Sequence, residues 1–348
     1  MADSSGHSSR LRSLDGLRAI SIILVILGHA SFTVHGSALK VVLALGDVAH
    51  LGVVVFFVIS GFLITTLLVQ ERERFGRVSL SLFYARRSLR IFPASFAYIG
   101  VIAAVAAAGY ITLHPWDITH ALTYTVNYAT SRSWYVGHLW SLSVEEQFYL
   151  LWPLAFAMTN RRHGLWVAVA VILVGPCARL FDRMFLMGTP YHGLEMFPMV
   201  ADSLAAGCAL ALLRERLESQ AWYTRVFEPV PSLILLALVL TLNRLMGFTV
   251  INVFGAMLLN IGIAVLVHRS VQRWSDPFGR FLNLKPIAFI GTLSYSLYLW
   301  QQLFLDRNST SWHNAFPQNV VFAVIAALLS FTLLEQPLMA LRHRLRAR

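Results

Sequence analysis

Apolar runs about 17–25 residues long, the length needed to cross a hydrocarbon core, recur along this chain from Leu17 to Glu335. Ten apolar runs can be read, eight of them of that length and two of 15 residues, near 17–35, 48–69, 91–109, 140–158, 164–178, 197–213, 229–243, 250–267, 286–305 and 319–335. Hydrophobic residues make up 57% of the chain and charged residues only 13%, against roughly 25% charged in soluble domains. With a mean hydropathy of +0.63, a water-soluble globule is excluded. The expected fold is all-α, a polytopic bundle of about ten transmembrane helices. It forms a single integral membrane domain over 1–348, with short cytoplasmic tails at 1–13 and 338–348 and no appended soluble domain.

The net charge of +11 suits an anionic partner, but the placement of the charges argues against nucleic acid. With the N-terminus inside, the outer side keeps only Lys40, Arg132, Arg179, Arg183, Arg244 and Arg307, leaving 22 of the 28 basic residues on the inner side. That is the positive-inside asymmetry, which sets topology. It makes the bilayer the partner and predicts both termini in the cytoplasm. The basic tail Arg342–Arg348 suits the anionic inner leaflet. Cys177 and Cys208 read as small packing residues, with neither a disulfide framework nor a thiolate zinc site. No metal site and no permanently bound cofactor are expected.

Ionisable residues inside apolar helices are costly, and so they mark function. Arg18 and His29 lie eleven residues apart in the first run. At about 100° per residue they return to one face within about 20°, separated along the axis by about 16 Å. Such a pair can line one pocket running from the helix end toward the middle of the bilayer. A desolvated imidazole is expected to be neutral and able to accept a proton. Arg18 admits two readings, ligand binding or snorkelling to head groups, and Asp15 reads as an N-cap of that helix.

Arg86, Arg87 and Arg90 open the third run; Arg87 and Arg90 share a helical face, and guanidinium forks suit phosphate groups. Glu145 and Glu146 enter the fourth run just after His138. One carboxylate there can orient a catalytic histidine, and a structural hydrogen-bond network is the competing reading. Asp202, in the sixth run, poses the same question. Ser60, beside Gly61, reads mainly as close helix packing. Tyr295, Tyr298 and Gln301 make the ninth run unusually polar and predict that it faces the bundle interior. Glu335-Gln-Pro337 reads as a plain helix stop.

Taken in order, these pieces resemble the membrane-bound acyltransferase-3 family, which modifies bacterial surface and secreted glycans. The resemblance rests on Leu14-Asp-Gly-Leu-Arg18 with His29 eleven residues on, Phe56-Phe-Val-Ile-Ser-Gly-Phe-Leu-Ile64 and Arg86-Arg-Ser-Leu-Arg-Ile-Phe-Pro93. His138-Leu-Trp-Ser-Leu-Ser-Val-Glu-Glu-Gln-Phe-Tyr-Leu-Leu-Trp-Pro153, Ala201-Asp-Ser-Leu204 and Leu293-Ser-Tyr-Ser-Leu-Tyr-Leu-Trp300 complete it. It implies a multi-pass protein of the bacterial inner membrane. Its reaction would move an acyl group, usually acetyl, from acyl-CoA as co-substrate to a hydroxyl of a carbohydrate or glycolipid acceptor.

The resemblance implies an essential His29, assisted in our reading by Glu145 and Glu146. It implies donor binding by Arg18, Arg87 and Arg90, with Arg86 beside them. Ser60, His138, Asp202, Tyr295, Tyr298 and Gln301 are expected to line the pocket or meet the acceptor. One departure stands out: the family often has His where this chain has Gln301. The main rival class is a multi-pass transporter or flippase that uses the same polar interior as a pathway.

Overall fold

Each of the ten apolar runs folds as a helix in the computed structural model, which describes residues 4–33, 47–193, 195–245 and 251–339. Lys40, the outer end of the first run, the first residue of the eighth and the basic tail lie outside the described residues. The helices are α1 (Ser4–Ala30), α2 (Val48–Phe75), α3 (Leu80–Ala107), α4 (Leu139–Met158) and α5 (Arg161–Phe181). Then follow α6 (Phe197–Glu218), α7 (Pro229–Arg244), α8 (Ala256–Gln272), α9 (Lys285–Phe304) and α10 (Gln318–Ser330). Among the described residues seven helices are long and apolar enough to cross a membrane: α1, α2, α3, α5, α6, α8 and α10, some with a short extension. The other three expected spans do not meet that measure of length and hydropathy, for physical reasons. Helix α7 has only 16 residues, and α4 and α9 are diluted by Glu145, Glu146, Gln147 and by the Ser, Tyr and Gln of the ninth run.

Local chemistry sets the helix ends. At the start of α2 the Asp47 side chain accepts from the His50 amide at 3.0 Å. The same helix stops at Gly76, whose φ of 71° suits glycine. Helix α1 starts at Ser4, well before the apolar zone, because nothing in Ser4–Gly16 interrupts it with a proline. Asp15 is therefore inside the helix and is not its cap. The other end of α1 is closed by hydroxyls: Ser31 donates to the Gly28 carbonyl at 2.6 Å and Thr33 to the Ala30 carbonyl at 2.9 Å. His29 consequently sits in the last turn of α1 rather than near the middle of a span.

Small residues let the central helices touch. A Cβ on Gly61 of α2 would strike the Leu204 carbonyl of α6, and one on Gly207 of α6 would strike the Val58 carbonyl of α2. On the other side of α1, a Cβ on Gly291 of α9 would strike the Asp15 carbonyl. These contacts follow the small-residue logic of membrane helix packing. They hold α1, α2, α6 and α9 close together. The peripheral helices turn large apolar side chains outward, among them Leu150, Leu151 and Leu154 of α4 and Val230, Leu233 and Ile234 of α7. Such a surface matches lipid rather than water. Of the two cysteines, Cys208 is buried as expected, whereas Cys177 is exposed on α5.

Candidate active site

Two cavities lie next to each other in the bundle. The wider is a vestibule of about 850 Å³ at the end where α1 and α9 finish. The loop before α4 walls it with Tyr110–His114 and with the short helix Trp134–Gly137, and two further short helices, Asp117–Leu122 and Val126–Tyr128, belong to the same loop. Buried Asp117 pins this loop by accepting from the backbone amides of His114 and Ser133. His29, Trp134, His138 and Trp140 line the vestibule. The Trp134 ring meets the His29 ring edge-on, with centroids 5.6 Å apart.

The partners of His29 fix its proton. The Trp134 carbonyl can only accept, so Gln302 must present its NH2 group there, at 2.9 Å. Gln302 Oε1 then faces Gln301 and accepts from its Nε2 at 3.1 Å. That leaves Gln301 Oε1 to face His29 Nδ1, at 2.9 Å. Nδ1 must therefore carry the hydrogen, and Nε2 keeps the lone pair. The relay Trp134–Gln302–Gln301 turns His29 into a base with one defined basic nitrogen. Gln301 is thus a buried partner of His29 and not part of the vestibule wall. Neither Glu145 nor Glu146 hydrogen-bonds His29. The orienting role expected of a carboxylate is filled by a neutral amide.

The narrower cavity, about 80 Å³, is lined by Arg18, Arg87, Arg90, Ser60, Glu145 and Tyr295, among others. Its volume is about a tenth of the vestibule's. Arg18 pairs with Asp15 at 3.6 Å. Arg87 stacks on the Tyr149 ring, with its guanidinium carbon 3.3 Å from the ring centroid, and lies 3.9 Å from Glu146. Arg90 interacts electrostatically with both Asp15 and Glu335. Arg87 Nε and Glu146 Oε1 are buried and have no hydrogen-bond partner. The two atoms face each other as that long ion pair. Glu145 accepts from the Ser60 hydroxyl at 2.7 Å, so Ser60 and Glu145 are cleft partners. Tyr295 anchors α9 to α3 by donating to the Ile91 carbonyl at 2.7 Å.

The wall between the two cavities is thin. Tyr298 donates to the His138 carbonyl at 2.7 Å and meets the Ser141 hydroxyl at 2.5 Å. His138 faces the vestibule, and Ser141 and Tyr298 face the cleft.

Two expected residues lie elsewhere. Arg86 is directed away from the cleft, and its Nε donates to the Leu82 carbonyl on its own helix at 3.0 Å. The structure does not bring it to the other arginines. Asp202 faces a third cavity, paired with Arg179 at 2.8 Å. Several site residues escaped the sequence reading: Trp134 and Gln302 in the relay, Tyr149 beneath Arg87, and Glu335. Glu335 lies buried in a π-helical turn, Phe331–Glu335, and accepts from Ser296. The rule that singled out Glu145, an acid inside an apolar helix, would have found it.

A family model described as an acyltransferase domain matches residues 11–334, nearly the whole chain. The chain belongs to the acyltransferase-3 family. It is 27% identical to the peptidoglycan O-acetyltransferase OatA of Listeria monocytogenes, over 94% of this chain and 55% of that protein. Identity is also 27% to the putative peptidoglycan O-acetyltransferase YrhL of Bacillus subtilis, over 95% of this chain and 55% of the other. It is 28% to the O-acetyltransferase OatA of Staphylococcus aureus, over 94% and 57%. The chain spans about half the length of the curated relatives it matches. No solved structure matches it.

Proposed function

We propose that this protein is a membrane O-acetyltransferase that takes an acetyl group from acyl-CoA on the cytoplasmic side and delivers it to a hydroxyl of a cell-envelope glycan. The relatives named for peptidoglycan O-acetylation make a polysaccharide of that class the leading acceptor. The observation that carries the reading is the pairing of an arginine-lined cleft with a vestibule holding His29 as an oriented base, separated by a partition of a few side chains. With α1 entering from the inside, Arg18, Arg87 and Arg90 lie toward the cytoplasm. They meet the phosphates at the mouth of the cleft, while the slender pantetheine arm occupies the cleft itself. The inner membrane of a bacterium is the setting that suits this orientation.

The chemistry then needs few groups. His29 Nε2 takes the proton of the acceptor hydroxyl as its oxygen attacks the thioester carbonyl carbon. The carbon–sulfur bond breaks, and the CoA thiolate leaves and recovers the proton from the imidazolium. Because Nδ1 is held by Gln301, the imidazole does not need to reorient. The test is acetyl transfer in purified membranes with radiolabelled acetyl-CoA and a peptidoglycan-derived acceptor. His29→Ala is expected to insert normally and to lose transfer by at least about 100-fold, the usual contribution of a general base. Wild-type transfer by a normally expressed His29→Ala protein would refute the mechanism.

A further inference from the structure

Beside the vestibule lies the third cavity, enclosed by α2, α5, α6 and α8 and not used by the chemistry above. It measures about 370 Å³, within the ~300–1,000 Å³ of small-molecule sites. The sequence puts Asn260 within the apolar stretch Ala256–Val267 of α8, where an amide needs a partner. The structure provides none. Asn260 is only 4% exposed, lines the cavity, and makes no hydrogen bond with a described residue. A buried amide left open toward a cavity is a recognition group awaiting a ligand.

The other walls define what that ligand can be. Arg179 already donates to Asp202, to the Met199 carbonyl and to the Val253 carbonyl. Four of its five N–H donors are therefore used within the protein. Asp182 is held by His192 Nδ1 at 3.0 Å and the Gly193 amide at 3.1 Å. Two arginines, Arg179 and Arg183, face three carboxylates, Asp182, Glu195 and Asp202, so a phosphate or another anion is disfavoured. Those carboxylates still have lone pairs for hydroxyl donors. Phe57, Val54 and Leu259 supply an apolar wall. Hydroxyl edges together with a C–H face are the chemistry of a neutral sugar ring.

Position points the same way. The His50 ring on the cavity wall stacks against Trp140 of the vestibule, with centroids 6.2 Å apart. Glu195 of the cavity pairs with Arg132 of the vestibule at 2.8 Å. The two spaces share this boundary. A sugar unit in this cavity would therefore adjoin, across that boundary, the vestibule that holds His29.

We infer that this cavity is a subsite for an uncharged sugar unit of the acceptor glycan, neighbouring the unit whose hydroxyl meets His29 and anchored by the Asn260 amide. The inference rests on the acceptor reading given above. The experiment uses the full chain in liposomes, with N-acetylglucosamine and its linear tetramer as acceptors and acetyl-CoA as donor. Binding of each sugar to the same liposomes is measured separately by saturation-transfer NMR.

Asn260→Leu is expected to raise the ratio of tetramer KM to monomer KM about tenfold, with the KM for acetyl-CoA unmoved. His50→Ala, on the opposite wall, should shift that ratio in the same direction and covers the event that Asn260→Leu fails to fold. A ratio that does not move in the folded variants overturns the subsite. Should the wild-type chain acetylate neither sugar, the acetyltransferase reading fails on its own account. Binding then decides the subsite. Tetramer binding that Asn260→Leu abolishes upholds it, and absence of tetramer binding to the wild type overturns it.

Discussion

At the scale of single residues, the site depends on the direction of a hydrogen-bond relay rather than on the strength of any one bond. A carbonyl at its far end, that of Trp134, fixes the sense of two amides and with them the tautomer of His29. Gln302 lines the vestibule but reaches His29 only through Gln301, so it is a positioning residue. Gln302→Leu removes both its donor and its acceptor, so Gln301 can flip and the basic lone pair can move to Nδ1. A wrong tautomer is costly in histidine catalysis. We expect kcat to fall by about two- to tenfold, a loss matching the roughly 0.5–1.5 kcal/mol of a neutral hydrogen bond, with the KM for acetyl-CoA unchanged. The pH–rate profile separates this from a general loosening. The fraction of His29 carrying its lone pair at Nε2 falls at every pH, so the whole profile drops while a merely unfolded fraction would show as lost protein. Steady-state rates between pH 5 and pH 9, normalised to folded protein, provide the check. Gln301 was visible in the sequence as the departure from the family's histidine. Its neighbour was not, because nothing in Gln301-Gln302 says which of two adjacent amides reaches the ring.

At the scale of helices, backbone approach positions these side chains. Gly61 and Gly207 let α2 and α6 come within carbonyl contact, and this places Ser60, next to Gly61, on the cleft. Gly61→Ala must push a methyl into the Leu204 carbonyl, and overpacking of this kind costs about 1–3 kcal/mol. Gly100 of α3 is its control, since a Cβ there meets nothing within 4 Å and alanine favours a helix by up to about 1 kcal/mol. Thermal melts in detergent should show Gly61→Ala several degrees less stable and Gly100→Ala equal to the wild type or above it. Equal melting of the two variants would remove the close-approach argument. The positions of all ten helices were legible as apolar runs, and so was the close packing at Ser60-Gly61. The ends were less so. The apolar run began at Leu17, but the helix begins at Ser4, because hydropathy marks where lipid fits and not where backbone hydrogen bonding starts. For the same reason His29 was expected near mid-span, whereas the Ser31 and Thr33 hydroxyls close the helix just beyond it.

At the scale of the whole molecule, charge is segregated into separate chambers. Arg18, Arg87 and Arg90 are countered by Asp15, Glu146 and Glu335, so the cleft is close to neutral before any donor arrives. Sequence periodicity could group Arg87 with Arg90, but it could not bring Glu335 from the last helix to meet them, because that contact is made only by the packing of α3, α9 and α10. On the proposed reading, a polyanionic donor at the mouth would compete with these carboxylates, and each arginine would exchange one partner for another instead of leaving water. Each charge-assisted bond is worth about 1.5–3 kcal/mol, and the carboxylate given up offsets part of it. A rise of about tenfold in the KM for acetyl-CoA is therefore expected for Arg18→Gln, Arg87→Gln or Arg90→Gln. Lysine should restore Arg87 least, because a point charge neither forks onto phosphate nor stacks on the Tyr149 ring as the planar guanidinium does. Arg86→Gln should leave that KM unchanged, since its side chain is directed away from the cleft and donates to its own helix. Steady-state kinetics at fixed acceptor and varied acetyl-CoA make the comparison. A response of Arg86→Gln equal to that of Arg87→Gln would mean that the arginines act only through the overall positive charge of the inner face, and the donor would then bind outside the cleft.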